Sequence, residues 1–183
     1  MKLLLHMCCG PCSIGPIQSL RQQEIVFDGY FFNPNIHPLK EFKRRAQTLE
    51  QVARDEKVMV LWDRAYPLEE FLAGALAEPE LRCRYCYAVR LRACAAYAKE
   101  HGYDAFTTTL LVSPFQRHEL IQAIGEQIAQ ETGIPFYYQD FRPLYEAATA
   151  TAIEREYYRQ PYCGCIFSER DRYQKRKRKP ASD

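Results

Sequence analysis

Seven cysteines fall into three short clusters, in a chain that does not need them to fold. Cys8-Cys9-Gly10-Pro11-Cys12 comes first, Cys83-Arg84-Tyr85-Cys86 follows, and Cys163-Gly164-Cys165 closes the series. A globular domain of about this length buries roughly 70% of the surface its unfolded chain exposes, so its apolar core suffices without disulfide staples. The apolar run Leu3-Leu4-Leu5 is cut short by His6, and no run approaches the length of a membrane span or a secretory leader. The expectation is therefore a cytoplasmic chain with no membrane contact. In that compartment clustered thiols bind metal or do redox chemistry more often than they pair with one another. The eighth cysteine, Cys94, lies on an apolar helical stretch with Leu91, Ala95 and Ala98, and is expected as a buried core thiol.

Hydrophobic periodicity predicts strands over 2–6, 25–32, 57–62, 105–108 and 135–138. Helices are expected over 14–23, 39–56, 67–77, 85–100, 118–131 and 145–158, with another from 167 onward. Strands alternating with helices predict a three-layer α/β fold, an open parallel sheet of about five strands with cysteine-bearing insertions. Residues 1–168 are expected to form one α/β metal-binding catalytic domain. Residues 169–183 form a basic C-terminal helix end and tail, in which 169–179 hold seven basic residues against two acidic ones. Such an arm either contacts phosphates or is simply a solvated, solubilising segment.

In right-handed strand–helix–strand units, the loops leaving the strands gather at the carboxyl edge of the sheet. Cys8, Cys9 and Cys12 follow the first strand directly. Cys83 and Cys86 open the helix that returns to the fourth strand, and Cys163 and Cys165 come after the fifth. Seven thiols are thus expected at one crevice. Four thiolates suit a structural zinc or a [4Fe–4S] cluster, and the C-x-x-C and C-x-C spacings fit both, with zinc slightly favoured on spacing alone. Seven exceed either need, which points to a second metal or a redox pair. Cys9-Gly10-Pro11-Cys12 also reads as a thioredoxin-type dithiol, although that reading leaves the other clusters unexplained.

Three further stretches carry polar or aromatic groups suited to ligand contact. Asn33-Pro34-Asn35-Ile36-His37-Pro38 is a stiff loop that can present Asn33, Asn35 and His37, or an ordinary turn before a helix. The segment Thr107 to Ser113 offers hydroxyls, Thr108 and Ser113 among them, for phosphate or base, or simply for strand propensity and a helix cap. Tyr158, Arg159 and Gln160 are residue types that stack on and hydrogen-bond nucleobases. No dinucleotide or Walker loop is present in the sequence.

Taken in order, these motifs closely resemble the cobalamin-independent epoxyqueuosine reductase (QueH) family. The resemblance is carried by Leu5-His6-Met7-Cys8-Cys9-Gly10-Pro11-Cys12-Ser13, the 33–38 loop with Glu41, Phe42 and Arg45, and Cys83-x-x-Cys86 with Arg90-Leu91. Thr107 to Ser113, Asp140-Phe141-Arg142 and Tyr158-Arg159-Gln160-Pro161-Tyr162-Cys163-Gly164-Cys165 complete it. It spans residues 3 to about 168, and the ordered set is specific where no single motif is.

The resemblance implies the last step of queuosine synthesis in tRNA, removal of the epoxide oxygen of epoxyqueuosine. It implies a fold similar to the adenine-nucleotide α-hydrolase (HUP-like) group, a [4Fe–4S] cluster beside one additional iron ion, and thereby reverses the zinc preference. On this basis Cys83, Cys86, Cys163 and Cys165 are expected to ligate the cluster. Cys8, Cys9 and Cys12 are expected to hold the iron, with Cys8 or Cys9 reaching the cluster as the alternative. His37 and Asp140 are candidate proton donors, with water as competitor. The expected partners are the anticodon arm of a tRNA, held by Tyr158, Arg159 and the tail, and an unidentified electron donor. The rivals are a zinc-stabilised, non-catalytic tRNA-binding module and a dithiol oxidoreductase using Cys9 and Cys12. The stretch 144–148 departs from the family pattern by lacking its glycines, which favours a more regular helix there.

Overall fold

Strand β1 (Lys2–His6) buries Leu3, Leu4 and Leu5 completely, and that continuous apolar run explains its place in the sheet. A strand covered on both faces needs apolar side chains on both, so it reads as a run instead of an alternation. In the computed structural model, which describes residues 1–174, β1 pairs in parallel with β2 (Val26–Phe31) on one side and β4 (Ala105–Thr108) on the other. The short β3 (Val60–Trp62) adds to β2. The sheet order is β3-β2-β1-β4, all parallel.

Helices α1 (Gly10–Gln22), α2 (Leu39–Asp55) and α6 (Tyr145–Glu154) pack together, α1 touching both of the others. Helices α4 (Arg82–Glu100) and α5 (His118–Thr132) form a second pair, with α4 against β1 and β4. The chain runs outward from β1 to β3 and then returns to the far side of β1 as β4. The reversal falls between β1 and β4, and an open α/β sheet leaves a crevice at that point, outside the carboxyl ends of its strands. Helices α3 (Leu68–Ala77) and α7 (Ile166–Tyr173) lie outside this plan. Phe71 and Ala75 of α3, with Cys86, make a small separate core on which Cys165 and Phe167 pack.

Several expected boundaries move, each for a local reason. The expected fifth strand at 135–138 is reduced to one bridge, Phe106 to Phe136, with backbone bonds Phe106 N–H to Pro135 O and Tyr137 N–H to Phe106 O. Pro135 has no N–H to extend the ladder, and the sheet has four strands, not five. β3 starts three residues late because Lys57 (φ 50°) and Val58 are spent closing the end of α2. α1 starts four residues early, since Pro11 is acceptable in a first turn, where its missing N–H costs nothing. α6 ends at Glu154, and Glu156 turns the chain with φ 54°. Of the expected tail, residues 175–183 lie outside the described residues.

Candidate metal centre

The first three thiols are gathered by the passage from β1 into α1. Cys9 caps α1 in extended conformation, and Cys12 lies one turn on. The Sγ atoms of Cys8, Cys9 and Cys12 all lie within 4.8 Å of one another, with Cys9 buried and the other two half-buried. Their surroundings come from distant chain. Thr109, just past β4, accepts from the Cys8 backbone N–H at 3.1 Å and donates its hydroxyl to Cys8 Sγ at 3.3 Å, bridging the crevice. Gln160 Nε2 donates to Cys9 Sγ at 3.0 Å and to Cys12 Sγ at 3.6 Å.

These thiols shift one another's ionisation. Hydrogen bonds from Cys12, Cys9 and Thr109 hold the Cys8 thiol well below its ordinary range. The Cys12 thiol is pushed well up by Cys8 and Cys9, with burial adding to the effect. Three sulfurs that can ionise only in part without a cation are a donor set a soft metal ion would complete, because it stabilises all the thiolates together.

Among the described residues the other four clustered thiols are not gathered as closely as the first three. Cys83 and Cys86 stand in the first turns of α4, and Cys165 caps α7, accepting from Ser168 N–H at 3.4 Å. Burial pushes the Cys86 thiol up to about 12; Arg90 opposes this, while Cys163, Cys165 and Cys83 add to it. Burial likewise raises Cys163, with Gln116 working against it by donating Nε2–H to Cys163 Sγ at 3.2 Å. Gly164 makes the C-x-C turn possible. Its φ of 146° strains any residue with a side chain, and a Cβ there would stand 3.0 Å from Asn35 Nδ2 and 3.2 Å from an Arg45 guanidinium nitrogen.

Two buried arginines hold the arrangement. Arg45, 2% exposed, pairs with Glu41 at 2.7 Å and donates to the backbone oxygens of Cys163 and Tyr162. Arg90, also 2% exposed, donates to the Cys86 carbonyl at 3.0 Å and to Cys86 Sγ at 3.2 Å. Burial alone would weaken the Arg90 charge, but Cys86, Cys163 and Cys8 outweigh it and keep the guanidinium protonated. Arg45 and Arg90 are thus both cations that thiols of more than one cluster feel.

A cavity of about 770 Å³ opens onto the two groups; Cys8, Cys12 and Cys163 line it, with Arg45 and Arg90 in its wall. Of the sequence-predicted ligand-binding residues, Asn33, Asn35, Ser113, Arg159 and Gln160 line this cavity. Asn33 Oδ1, Asn35 Oδ1 and Gln160 Oε1 are buried acceptors with no hydrogen-bond partner among the described residues. A buried unpaired acceptor costs about 1–3 kcal/mol, so three in one cavity mark a site made for a donor that binds there.

Four predicted residues stand elsewhere. Thr108 is fully buried below the cavity, bonded to His6 Nδ1 at 2.9 Å and accepting from Leu110 N–H, which makes it a cap instead of a ligand contact. Tyr158 donates to Glu41 Oε2 at 2.7 Å with the Arg44 guanidinium 3.6 Å from its ring centroid, so its ring is already stacked. His37 is 1% exposed, set against the Phe71 and Tyr66 rings, and burial lowers its pKa. Asp140 is chelated by Arg142, whose guanidinium pulls its carboxyl down to about 2. That pair does not line the cavity, so the structure does not bring Asp140 to the sulfurs.

The sequence offered Thr109 only as one hydroxyl of the 107–113 segment and Arg45 and Arg90 only as members of the family motifs, and gave Gln116 no role; all four touch the sulfurs or their backbone. Arg90 had a readable signal, since four residues after Cys86 on a helix it shares that residue's face. Arg45 and Gln116 had none, because their partners are remote in sequence.

Fold and site together define a thiol-rich α/β protein whose Cys8, Cys9 and Cys12 are placed to hold a metal ion, with a cavity at the point where the strand order reverses. A family model described as "Epoxyqueuosine reductase QueH" matches residues 3–171. An epoxyqueuosine reductase QueH of Dehalococcoides mccartyi is 35% identical over 174 residues, covering 95% of this chain and 96% of its own. One from Thermotoga maritima is 33% identical over 183 residues, covering 94% and 93%. One from Staphylococcus epidermidis is 35% identical over 181 residues, covering 91% and 76%. The chain belongs to the epoxyqueuosine reductase QueH family.

Proposed function

We propose that this chain reduces epoxyqueuosine in tRNA to queuosine, with Cys83, Cys86, Cys163 and Cys165 holding a [4Fe–4S] cluster and Cys8, Cys9 and Cys12 an additional iron ion. The observation that carries the reading is one cavity lined by Cys8, Cys12 and Cys163 together with the buried Arg45 and Arg90, in a chain of this family. The overall change takes two electrons and two protons: two C–O bonds of the epoxide break, a C=C bond forms, and the oxygen leaves as water. When bound, the cluster relays electrons and the iron supplies a Lewis acid for the epoxide oxygen.

The chain's own residues supply the rest. Thr109 and Gln160 hold the first three sulfurs by hydrogen bonds, and Gln116 and Arg90 do so for Cys163 and Cys86. Asn33, Asn35 and Gln160 offer their free carbonyl oxygens to hydroxyl or amine protons of the modified nucleoside. Arg159, exposed at the cavity, takes a phosphate of the anticodon arm. Protons come from water admitted by the cavity, with His37 as the remaining candidate side chain. A separate electron donor is required. No described helix is long and apolar enough to cross a bilayer.

The test is anaerobic reconstitution with iron and sulfide, counting of iron, sulfide and zinc, then incubation of the holoprotein with a chemical reductant and epoxyqueuosine-containing tRNA. The expected result is brown protein with more iron than sulfide and conversion of epoxyqueuosine to queuosine in the digested tRNA. Colourless zinc protein that binds tRNA without conversion would establish the non-catalytic module instead. Conversion by metal-free protein needing only Cys9 and Cys12 would establish the dithiol enzyme.

A further inference from the structure

Phe115 is 80% exposed and lines the cavity at the same time. A scattered exposed aromatic needs no explanation, but this one has contacts on both its backbone and its ring. Its N–H bonds Ser113 Oγ at 3.3 Å. Its neighbour Gln116 is fastened at both ends of its side chain, accepting from Tyr87 O–H at 2.7 Å and donating to Cys163 Sγ at 3.2 Å. The loop that touches a sulfur of the candidate centre therefore presents, one residue earlier, an aromatic ring to solvent. Tyr145, at the start of α6, meets that ring edge to face, with centroids 5.8 Å apart and planes at 81°. Tyr145 also lines the cavity, as does Arg159.

We propose that Phe115, braced by Tyr145, is a stacking platform for the nucleobase adjacent to the one that enters the cavity. The inference rests on the tRNA reading above and deepens it. A base drawn out of a loop toward buried sulfurs loses its stacking partners, and so does its neighbour. An exposed ring at the mouth restores one partner to the neighbour without reading its identity, because every base has a π-face. Arg159 supplies the positive charge for the phosphate that joins the two nucleotides.

The experiment reads binding only, so it is independent of turnover. The probe is an anticodon stem–loop RNA of a queuosine-type tRNA, unmodified, with 2-aminopurine placed in turn on either side of the target nucleotide. Wild type is expected to quench the fluorophore on one side through stacking. Phe115→Leu is expected to lose that quenching and to bind about 5- to 100-fold more weakly, and Phe115→Trp to restore both. Phe115 is so exposed that leucine there does not threaten folding, which thermal melting and iron content verify. Unchanged binding and quenching in Phe115→Leu would overturn the platform, as would equal losses in the leucine and tryptophan variants. Wild type that binds and stacks the RNA but fails to reduce epoxyqueuosine would leave the platform standing and remove only the reductase reading. Wild type that does not bind the stem–loop would remove the platform with the tRNA reading.

Discussion

Arg45 donates to the Cys163 carbonyl oxygen at 2.9 Å from a helix 118 residues earlier in the chain. The same guanidinium reaches the Tyr162 carbonyl and the Glu41 carboxylate. Arg45→Met removes the tie and leaves Glu41 a buried, unpaired charge, a change that costs about 3 kcal/mol or more. Chemical denaturation and iron counting should show both lower stability and lower cluster content. Arg45→Lys keeps the charge without the planar fork and should fall between. Full stability and full iron in the methionine variant would show that the tie carries nothing.

The two thiol groups should separate chemically. Cys86→Ala and Cys163→Ala are expected to lose most iron and nearly all labile sulfide, together with the visible absorbance. Cys12→Ala is expected to keep the sulfide and lose about one iron per chain, since only the cluster contains inorganic sulfide. Elemental analysis of the anaerobically reconstituted variants makes the comparison. Equal sulfide loss in all three would merge the groups into one centre.

Cys94 is fully buried between α4 and β1, with its sulfur 3.9 Å from the Leu4 carbonyl. It belongs to the core and not to the metal groups. Cys94→Ala should leave iron and sulfide unchanged and cost about 1–2 kcal/mol through the small cavity it creates. Urea unfolding alongside metal counting checks both halves, and loss of metal would contradict the assignment.

The pairing of Asp140 with Arg142 sets a direction in pH. The carboxyl is pulled from its ordinary value down to about 2 in the folded chain, first by its hydrogen bonds to Arg142. A depressed carboxyl pKa adds stability above the unfolded value near 4 and loses it as pH falls toward the folded value. The stability gap between wild type and Asp140→Asn should therefore be largest at neutral pH and close between about pH 4 and 2. The site is partly exposed, so salt should shrink the gap throughout. A gap that widens in acid would reverse the assignment.

How much could be read beforehand depended on the range of each interaction. β1 was legible because a strand covered on both faces shows as an unbroken apolar run, Leu3-Leu4-Leu5, and β2 and β4 by their place between helical segments. Topology made the meeting of Cys8, Cys12 and Cys163 at one cavity legible, since loops at one sheet edge lie close together. The fifth strand failed at Pro135, whose missing N–H was visible, but whether the edge would pair further was a tertiary matter. Thr108 and Tyr158 looked like ligand contacts by residue type. Their side chains are consumed by His6 and by Glu41 with Arg44, partners that no local pattern announces. The same blindness hid Gln116, and it hid Arg45, whose role lies in a carbonyl more than a hundred residues away.

The turn at Gly164 is clasped from outside the metal groups. The His37 N–H donates to its carbonyl at 2.8 Å, and the Tyr162 hydroxyl donates to the His37 carbonyl. The loop carrying Asn33 and Asn35 is thereby sewn to the turn carrying Cys163 and Cys165. A change that displaces either segment must therefore pull on the other, so the two asparagines and the last two cysteines keep or lose their positions as one unit.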